Sequence, residues 1–152
     1  MKIAVLSDTH VYSFEDIPVK IVDFLSTVDL IIHAGDFVSV RVLEGLEKLG
    51  EVKAVQGNMD SAELKSILPI KEIVEVGGKR IGIIHGWGSP WRIEQRVKKE
   101  FDQIDIIIYG HSHISQNKII DNVLFFNPGR AKDSFGILTT EEGIKGEIIS
   151  SK

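Results

Sequence analysis

Four of the five histidines in this 152-residue chain fall in short polar blocks shared with glycine, aspartate or asparagine. In chain order the blocks are Asp8-Thr9-His10, Gly35-Asp36, Gly57-Asn58, His85-Gly86 and Gly110-His111-Ser112-His113. Imidazole nitrogens, carboxylates and amide oxygens are ligands for divalent cations of hard to borderline character. The chain has no cysteine, which excludes disulfides, thiolate zinc sites and cysteine nucleophiles, so any metal must be held by nitrogen and oxygen. His111 and His113 are two residues apart and project to the same side of an extended segment, so both can reach into one site. Taken alone, a short His-x-His pair is as readily two polar loop residues as two ligands.

The elements that must position these blocks are apolar runs too short for ordinary helices. Lys2 to Leu6, Leu30 to His33, Val52 to Val55, Lys79 to Ile84 and the isoleucine-rich run from Ile104 read as strands, the last of them buried on both faces. Each ends by delivering a potential ligand. In open α/β sheets, sites form beyond the carboxyl ends of strands, so residues placed this way can converge on one crevice. Glycines at Gly35, Gly57, Gly86 and Gly110 allow sharp turns and close backbone approach there. His33 is the exception: it lies at the end of its own strand and reads as a hydrogen-bonded core histidine supporting the site.

Between these strands, Pro18 to Val28 carries Val19, Ile21, Val22, Phe24, Leu25 and Val28 at helical spacing. Ser39 can cap a second helix with a buried stripe of Val42, Leu43, Leu46 and Leu49, stopped by Gly50. A short helical piece follows over Ala62 to Leu68. Gly77-Gly78 between Ile70–Val76 and Lys79–Ile84 reads as a tight hairpin turn. Pro90 to Phe101 is a further helix, with Ile93, Val97 and Phe101 on one face and Arg92, Arg96 and Lys99 on a solvated one. Ile114 to Ile120, Val123 to Phe126, Ser134 to Thr140 and Ile144 to Ile149 read as antiparallel strands. An α/β fold of two sheets packed face to face, with helices outside, accommodates both halves. The length fits one domain over residues 1–152.

A net charge of −4 and a pI near 5.7 provide no basic field for gripping a nucleic acid backbone, so stable nucleic-acid binding is not expected. A small phosphorylated substrate is compatible with that charge. No apolar run approaches the roughly 18 residues of a membrane span, and the opening Ile3 to Leu6 is too short for a signal-peptide core. The default location is the cytoplasm, without membrane association.

The five ordered blocks from Asp8 to His113 resemble those of the calcineurin-like metallophosphoesterases, and Asn127-Pro128-Gly129 resembles a turn of the small bacterial and archaeal phosphodiesterase branch. The resemblance implies a four-layer α-β-β-α sandwich of two mixed sheets, with two metal ions at the sheet edge. It implies that Asp8, His10 and His113 hold the first metal, that Asn58, His85 and His111 hold the second, and that Asp36 bridges both. It implies that Asp36, Asn58 and His111 are also the catalytic residues. Mn2+ is the first choice of ion, with Fe2+, Zn2+, Co2+ and Ni2+ open. Two such ions about 3.5–4 Å apart lower the pKa of a shared water, place the hydroxide for in-line attack on phosphorus and neutralise the transition state.

Two departures from the family pattern bear on activity. Many members have Gly-Asn-His-Asp where this chain has Gly57-Asn58-Met59-Asp60, and methionine cannot donate a proton to a leaving group. Asp60 is then left with a structural hydrogen bond. Ser39 stands where many relatives carry an acidic residue, and reads as a helix cap. The missing histidine favours phosphodiester over phosphomonoester hydrolysis on a small phosphate-ester substrate. A metal-binding scaffold, as in the related retromer subunit, is the alternative of a different class, and a homo-oligomer is left open. Trp87 can stack on an aromatic group or pack against the surface; Arg130 can meet a phosphate or remain a surface residue.

Overall fold

Alternation along the strands sorts the apolar side chains onto two faces, and the fold follows from what each face meets. The computed structural model describes residues 1–152. The strands are β1 (Lys2–Leu6), β2 (Leu30–His33), β3 (Val52–Ala54), β4 (Lys71–Val76), β5 (Lys79–Ile84), β6 (Ile106–Ile108), β7 (Gln116–Ile120), β8 (Val123–Asn127), β9 (Ser134–Thr139) and β10 (Lys145–Ser150). The helices are α1 (Val19–Leu25), α2 (Val40–Glu47), α3 (Ala62–Ile67) and α4 (Ile93–Lys98). One five-stranded sheet runs β10-β9-β1-β2-β3 and the other β4-β5-β6-β8-β7.

In β1, Ile3 and Val5 face the second sheet and join Ile32, Ile81, Ile83, Ile106, Ile108 and Phe126 in a core between the sheets. Ala4 and Leu6 point the other way and pack with Ile21, Leu25, Val42, Leu46 and Leu64 from the helices. On the far side of the second sheet, Ile84, Ile107, Tyr109 and Phe125 meet Ile93, Val97 and Phe101 in a third core. Three apolar layers therefore hold four structural layers together, the α-β-β-α sandwich.

Strands β1, β2 and β3 are mutually parallel, as are β5, β6 and β8, while β9, β10, β4 and β7 pair antiparallel at the flanks. The hairpin of β4 and β5 turns through Gly77 and Gly78, at φ 58° and 76°, as a tight two-residue turn requires. Ser39 caps α2, its hydroxyl accepting the Arg41 N–H at 3.2 Å. No helix is long and apolar enough to cross a membrane.

Several element boundaries differ from the sequence expectation. Helix α1 ends at Leu25, leaving Val28 beyond it and Val19 72% exposed. Helix α2 ends at Glu47 rather than at Gly50, and Leu49 falls outside the buried stripe at 36% exposure. Regular pairing in β6 covers only Ile106–Ile108, flanked by single bonds from Asp105 N–H to Arg80 O and Tyr109 N–H to Phe126 O. Helix α4 is six residues, and Arg96 is not merely solvated. Its guanidinium donates to the carbonyls of Trp87 and Trp91, both at 2.9 Å, and of Ser89. The preceding loop folds back over the helix face that periodicity assigns to water.

Candidate metal centre

The carboxyl ends of β1, β2 and β3 in one sheet and of β5 and β6 in the other open onto the same edge of the sandwich. Glycine is what lets them close on each other. A Cβ at Gly110 would collide with Ser7 Oγ and Asp8 Oδ2, and one at Gly57 with the Asp36 carboxylate and backbone nitrogen. Five of the seven residues singled out from the sequence adopt left-handed backbone: Asp8 (φ 53°), His10 (49°), Asp36 (64°), His111 (67°) and His113 (62°). Such conformations are disfavoured for residues with a Cβ and cluster at functional sites. Sequence reading gave no sign of them.

All seven side chains come together. The carboxylates form the floor, with Asp8 fully buried and Asp36 2% exposed, while Asn58 and His113 stand at the exposed rim. Each carboxylate has one oxygen tied down and one turned inward. Asp8 Oδ2 accepts from Ser7 Oγ at 2.6 Å and from the His111 N–H at 3.2 Å. Asp8 Oδ1 faces His10 Nε2 at 3.4 Å, His113 Nε2 at 3.3 Å and His85 Nε2 at 3.8 Å. Asp36 Oδ1 accepts the Met59 N–H at 2.8 Å, and Oδ2 lies 3.3 Å from both His10 Nε2 and His85 Nε2.

The imidazoles form two edge-to-face pairs, His10 with His113 and His85 with His111, each with centroids 5.3 Å apart. Backbone carbonyls orient the second pair. His85 Nδ1 donates to Ala34 O at 2.7 Å and His111 Nε2 to Gly88 O at 2.9 Å, because a carbonyl can only accept. The opposite ring nitrogens therefore point inward, with Asn58 Oδ1 at 3.1 Å from His85 Nε2 and 3.2 Å from His111 Nδ1. Asp8, His10 and His113 form one close group of potential metal ligands and Asp8, Asp36 and His85 another. Asp8 belongs to both, which sequence reading did not anticipate.

Inward-facing ring nitrogens beside carboxylate oxygens are acceptors crowded against acceptors unless a cation lies between them. The charges respond accordingly. For His10 the hydrogen bond to Asp8 raises the pKa against partial burial. For His85 burial pushes the pKa down, but the hydrogen bond to Asp36 and the charges of Asp8 and Asp36 outweigh it and leave it raised. Burial likewise pushes Asp8 and Asp36 up, yet their histidine contacts prevail, leaving Asp8 lowered and Asp36 at about 2. The pocket is built for positive charge, which fits the donor set for divalent ions.

The supporting residues are as informative as the cluster. Asp60 takes the structural role expected of it: its carboxylate accepts the N–H groups of Gly57 at 2.7 Å, Val38 at 2.8 Å and Asp36 at 3.1 Å, tying the β2 and β3 exits together. Asp60→Ala strands three backbone donors, and at about 1 kcal/mol or more for each the protein should lose roughly 3 kcal/mol of stability. Urea unfolding checks this, and an unchanged midpoint would contradict it. Asn127, at the end of β8, is a sixth strand exit: its amide donates to Gly110 O at 3.2 Å and Ser112 Oγ at 3.1 Å, setting the loop that carries His111 and His113. Met59 is 55% exposed. Trp87, 45% exposed, lines a cavity of about 230 Å³ with Asn58, His85, Lys65 and Ile70.

Two mixed five-stranded sheets between helices, with histidine, aspartate and asparagine gathered at their strand exits, define an α/β sandwich with a candidate metal centre. The chain belongs to the calcineurin-like phosphoesterase superfamily, whose family model matches residues 1–143. It is 40% identical over 134 residues to a probable metallophosphoesterase of Methanocaldococcus jannaschii, covering 85% of this chain and 67% of that protein. A phosphodiesterase of the same organism is 32% identical over 171 residues, covering 98% of this chain and 99% of its own. The solved structure of an archaeal phosphodiesterase superposes with a TM-score of 0.80 at 30% identity, over 99% of both chains.

Proposed function

We propose that this protein is a phosphodiesterase that uses two divalent metal ions, with Mn2+ the first to be tried. Asp8, His10 and His113 would hold one ion, Asn58, His85 and His111 the other, and Asp36 both. The observation that supports this most directly is the position of Asp36 Oδ2, equidistant at 3.3 Å from one imidazole of each pair. When bound, such ions neutralise phosphoryl oxygens and acidify water for attack on phosphorus.

The chain's own residues prepare the ground. Ser7 and the backbone N–H groups of His111 and Met59 fix the outer carboxylate oxygens, so the inner ones are aimed without rearrangement. The carbonyls of Ala34 and Gly88 hold His85 and His111 in the tautomers that turn an unprotonated nitrogen inward. Met59 offers no proton to a departing oxygen, so the better leaving groups of activated diesters should be handled best. Full coverage of a relative named as a phosphodiesterase supports the same preference.

With Mn2+ added, bis(p-nitrophenyl) phosphate should turn over faster than p-nitrophenyl phosphate, and EDTA should abolish both. Faster hydrolysis of the monoester would make the protein a phosphomonoesterase. Turnover of neither, in protein that still binds metal, would make it a scaffold; the intact set of seven donors supports the enzyme.

A further inference from the structure

The two flanks of the metal centre differ in chemistry. Beside Asn58 and His85 lies the cavity bearing Trp87 and Ile70, whose one cation, Lys65, donates to the Asn58 carbonyl at 3.2 Å. Beside His10 and His113 lies another of about 300 Å³, walled by those two residues with Thr9, Val11, Arg130 and Lys132. That volume is at the lower end of the roughly 300–1,000 Å³ of ligand pockets. Two of its six walls belong to the metal centre and two are cations, so a molecule held at the centre by a phosphoryl group can extend an arm into it.

The cations are placed there by backbone. Strand β8 ends beside β6, and the turn after Asn127 passes through Gly129 at φ 82°, whose N–H donates to Asn127 Oδ1 at 2.9 Å. The same Asn127 side chain holds Gly110 O and Ser112 Oγ. The Ala131 N–H, between the two cations, donates to Ser7 O at 3.1 Å. The backbone at Arg130 and Lys132 is thus fixed relative to Asp8 and to the loop carrying His113. Asp133 accepts from Arg130 Nε at 2.9 Å, which sets the guanidinium plane and leaves both terminal amino groups without a partner in the protein. Lys132 forms no ion pair.

We propose that this cavity is an anion subsite, taking a second phosphate group carried on one arm of the phosphodiester substrate. The guanidinium edge left open on Arg130 matches phosphate oxygens in bidentate fashion, with Lys132 adding a point charge. On a chain of net charge −4, such a local pair attracts a small polyanion without recruiting long nucleic acid. The proposal rests on the phosphodiesterase reading for the orientation of the arm, and its test is one of binding.

Thymidine 3′,5′-bisphosphate and thymidine 5′-monophosphate, which differ by one phosphate, are titrated calorimetrically into Mn2+-supplemented protein. The bisphosphate should bind about tenfold more tightly, the effect of one or two charge-assisted hydrogen bonds. The ratio should fall to near one in Arg130→Gln and decrease in Lys132→Gln, a substitution at an exposed residue that leaves the Asp133 contact in place. Equal affinities in the wild type, or a ratio that survives in the double variant, would overturn the subsite. Preferential binding of the bisphosphate without hydrolysis of any diester would uphold the subsite and defeat the enzymatic reading; hydrolysis with equal affinities would do the reverse.

Discussion

Asp36→Ala should lose metal and activity together, with EDTA-sensitive phosphoesterase turnover falling by about 10³-fold or more, the equivalent of the several kcal/mol that metal ions contribute to such reactions. Geometry sets the residue apart. Its Oδ1 is anchored by the Met59 N–H, and its Oδ2 is shared between His10 and His85, the inner members of the two imidazole pairs. No other carboxylate makes that contact at equal distances: Asp8 Oδ1 is 3.4 Å from His10 but 3.8 Å from His85. Asp36→Asn separates charge from shape, because an amide oxygen can still accept from Met59 while the negative charge is gone. Both variants should retain less metal per chain after desalting, measured by elemental analysis, and both should unfold cooperatively. Full turnover with undiminished metal in either variant would remove the site as drawn.

The polar side chains gathered at this edge were legible because they stand directly after apolar runs, where a short-range pattern reports a long-range position. Asp8, Asp36, Asn58, His85 and His111 each follow a strand within a few residues, and strands buried on both faces announce themselves by composition. The two packed sheets were legible for the same reason. What joins the exits was not. Asp60 meets three N–H groups from two loops, and Arg96 binds carbonyls of a loop that folds back onto its helix. Those partners are set by the path of the chain, which no local periodicity encodes. The insertion of β8 between β6 and β7 is likewise a pairing of distant segments, and it brings Asn127 and Arg130 to the edge. Left-handed backbone at His10 or His111 has only a weak compositional marker, since histidine, aspartate and asparagine adopt it more often than other residues with a Cβ but far less readily than glycine.

His33 makes stability depend on pH between 6.5 and about 5, where the other shifted groups are nearly silent. It is fully buried, stacked on Phe37 with centroids 3.6 Å apart, and its Nδ1 accepts the Gly35 N–H at 3.1 Å. The ring proton therefore sits on Nε2, facing Thr9 Oγ1 at 3.3 Å, and a second proton would confront the Gly35 donor. Burial is the main cause that lowers its pKa from 6.5 to about 3, with His85 and His10 adding to the effect and Asp8 and Asp36 opposing it. The unfolded chain thus binds a proton at this residue below pH 6.5 that the folded chain refuses, so stability must fall as pH falls from 6.5 toward about 3. His10 and His85, with raised values, are protonated in both states well below 6.5, and the carboxylates with lowered values, Asp8, Asp36, Glu15, Asp133 and Glu141, are largely ionised in both above about pH 5. Between pH 6 and 5, chelator-treated protein should lose about 1 kcal/mol on account of His33. His33→Gln cannot titrate, and in urea titrations it should flatten that slope whatever its absolute stability. A variant whose stability falls with pH as steeply as the wild type would show that the buried imidazole is not the group responsible.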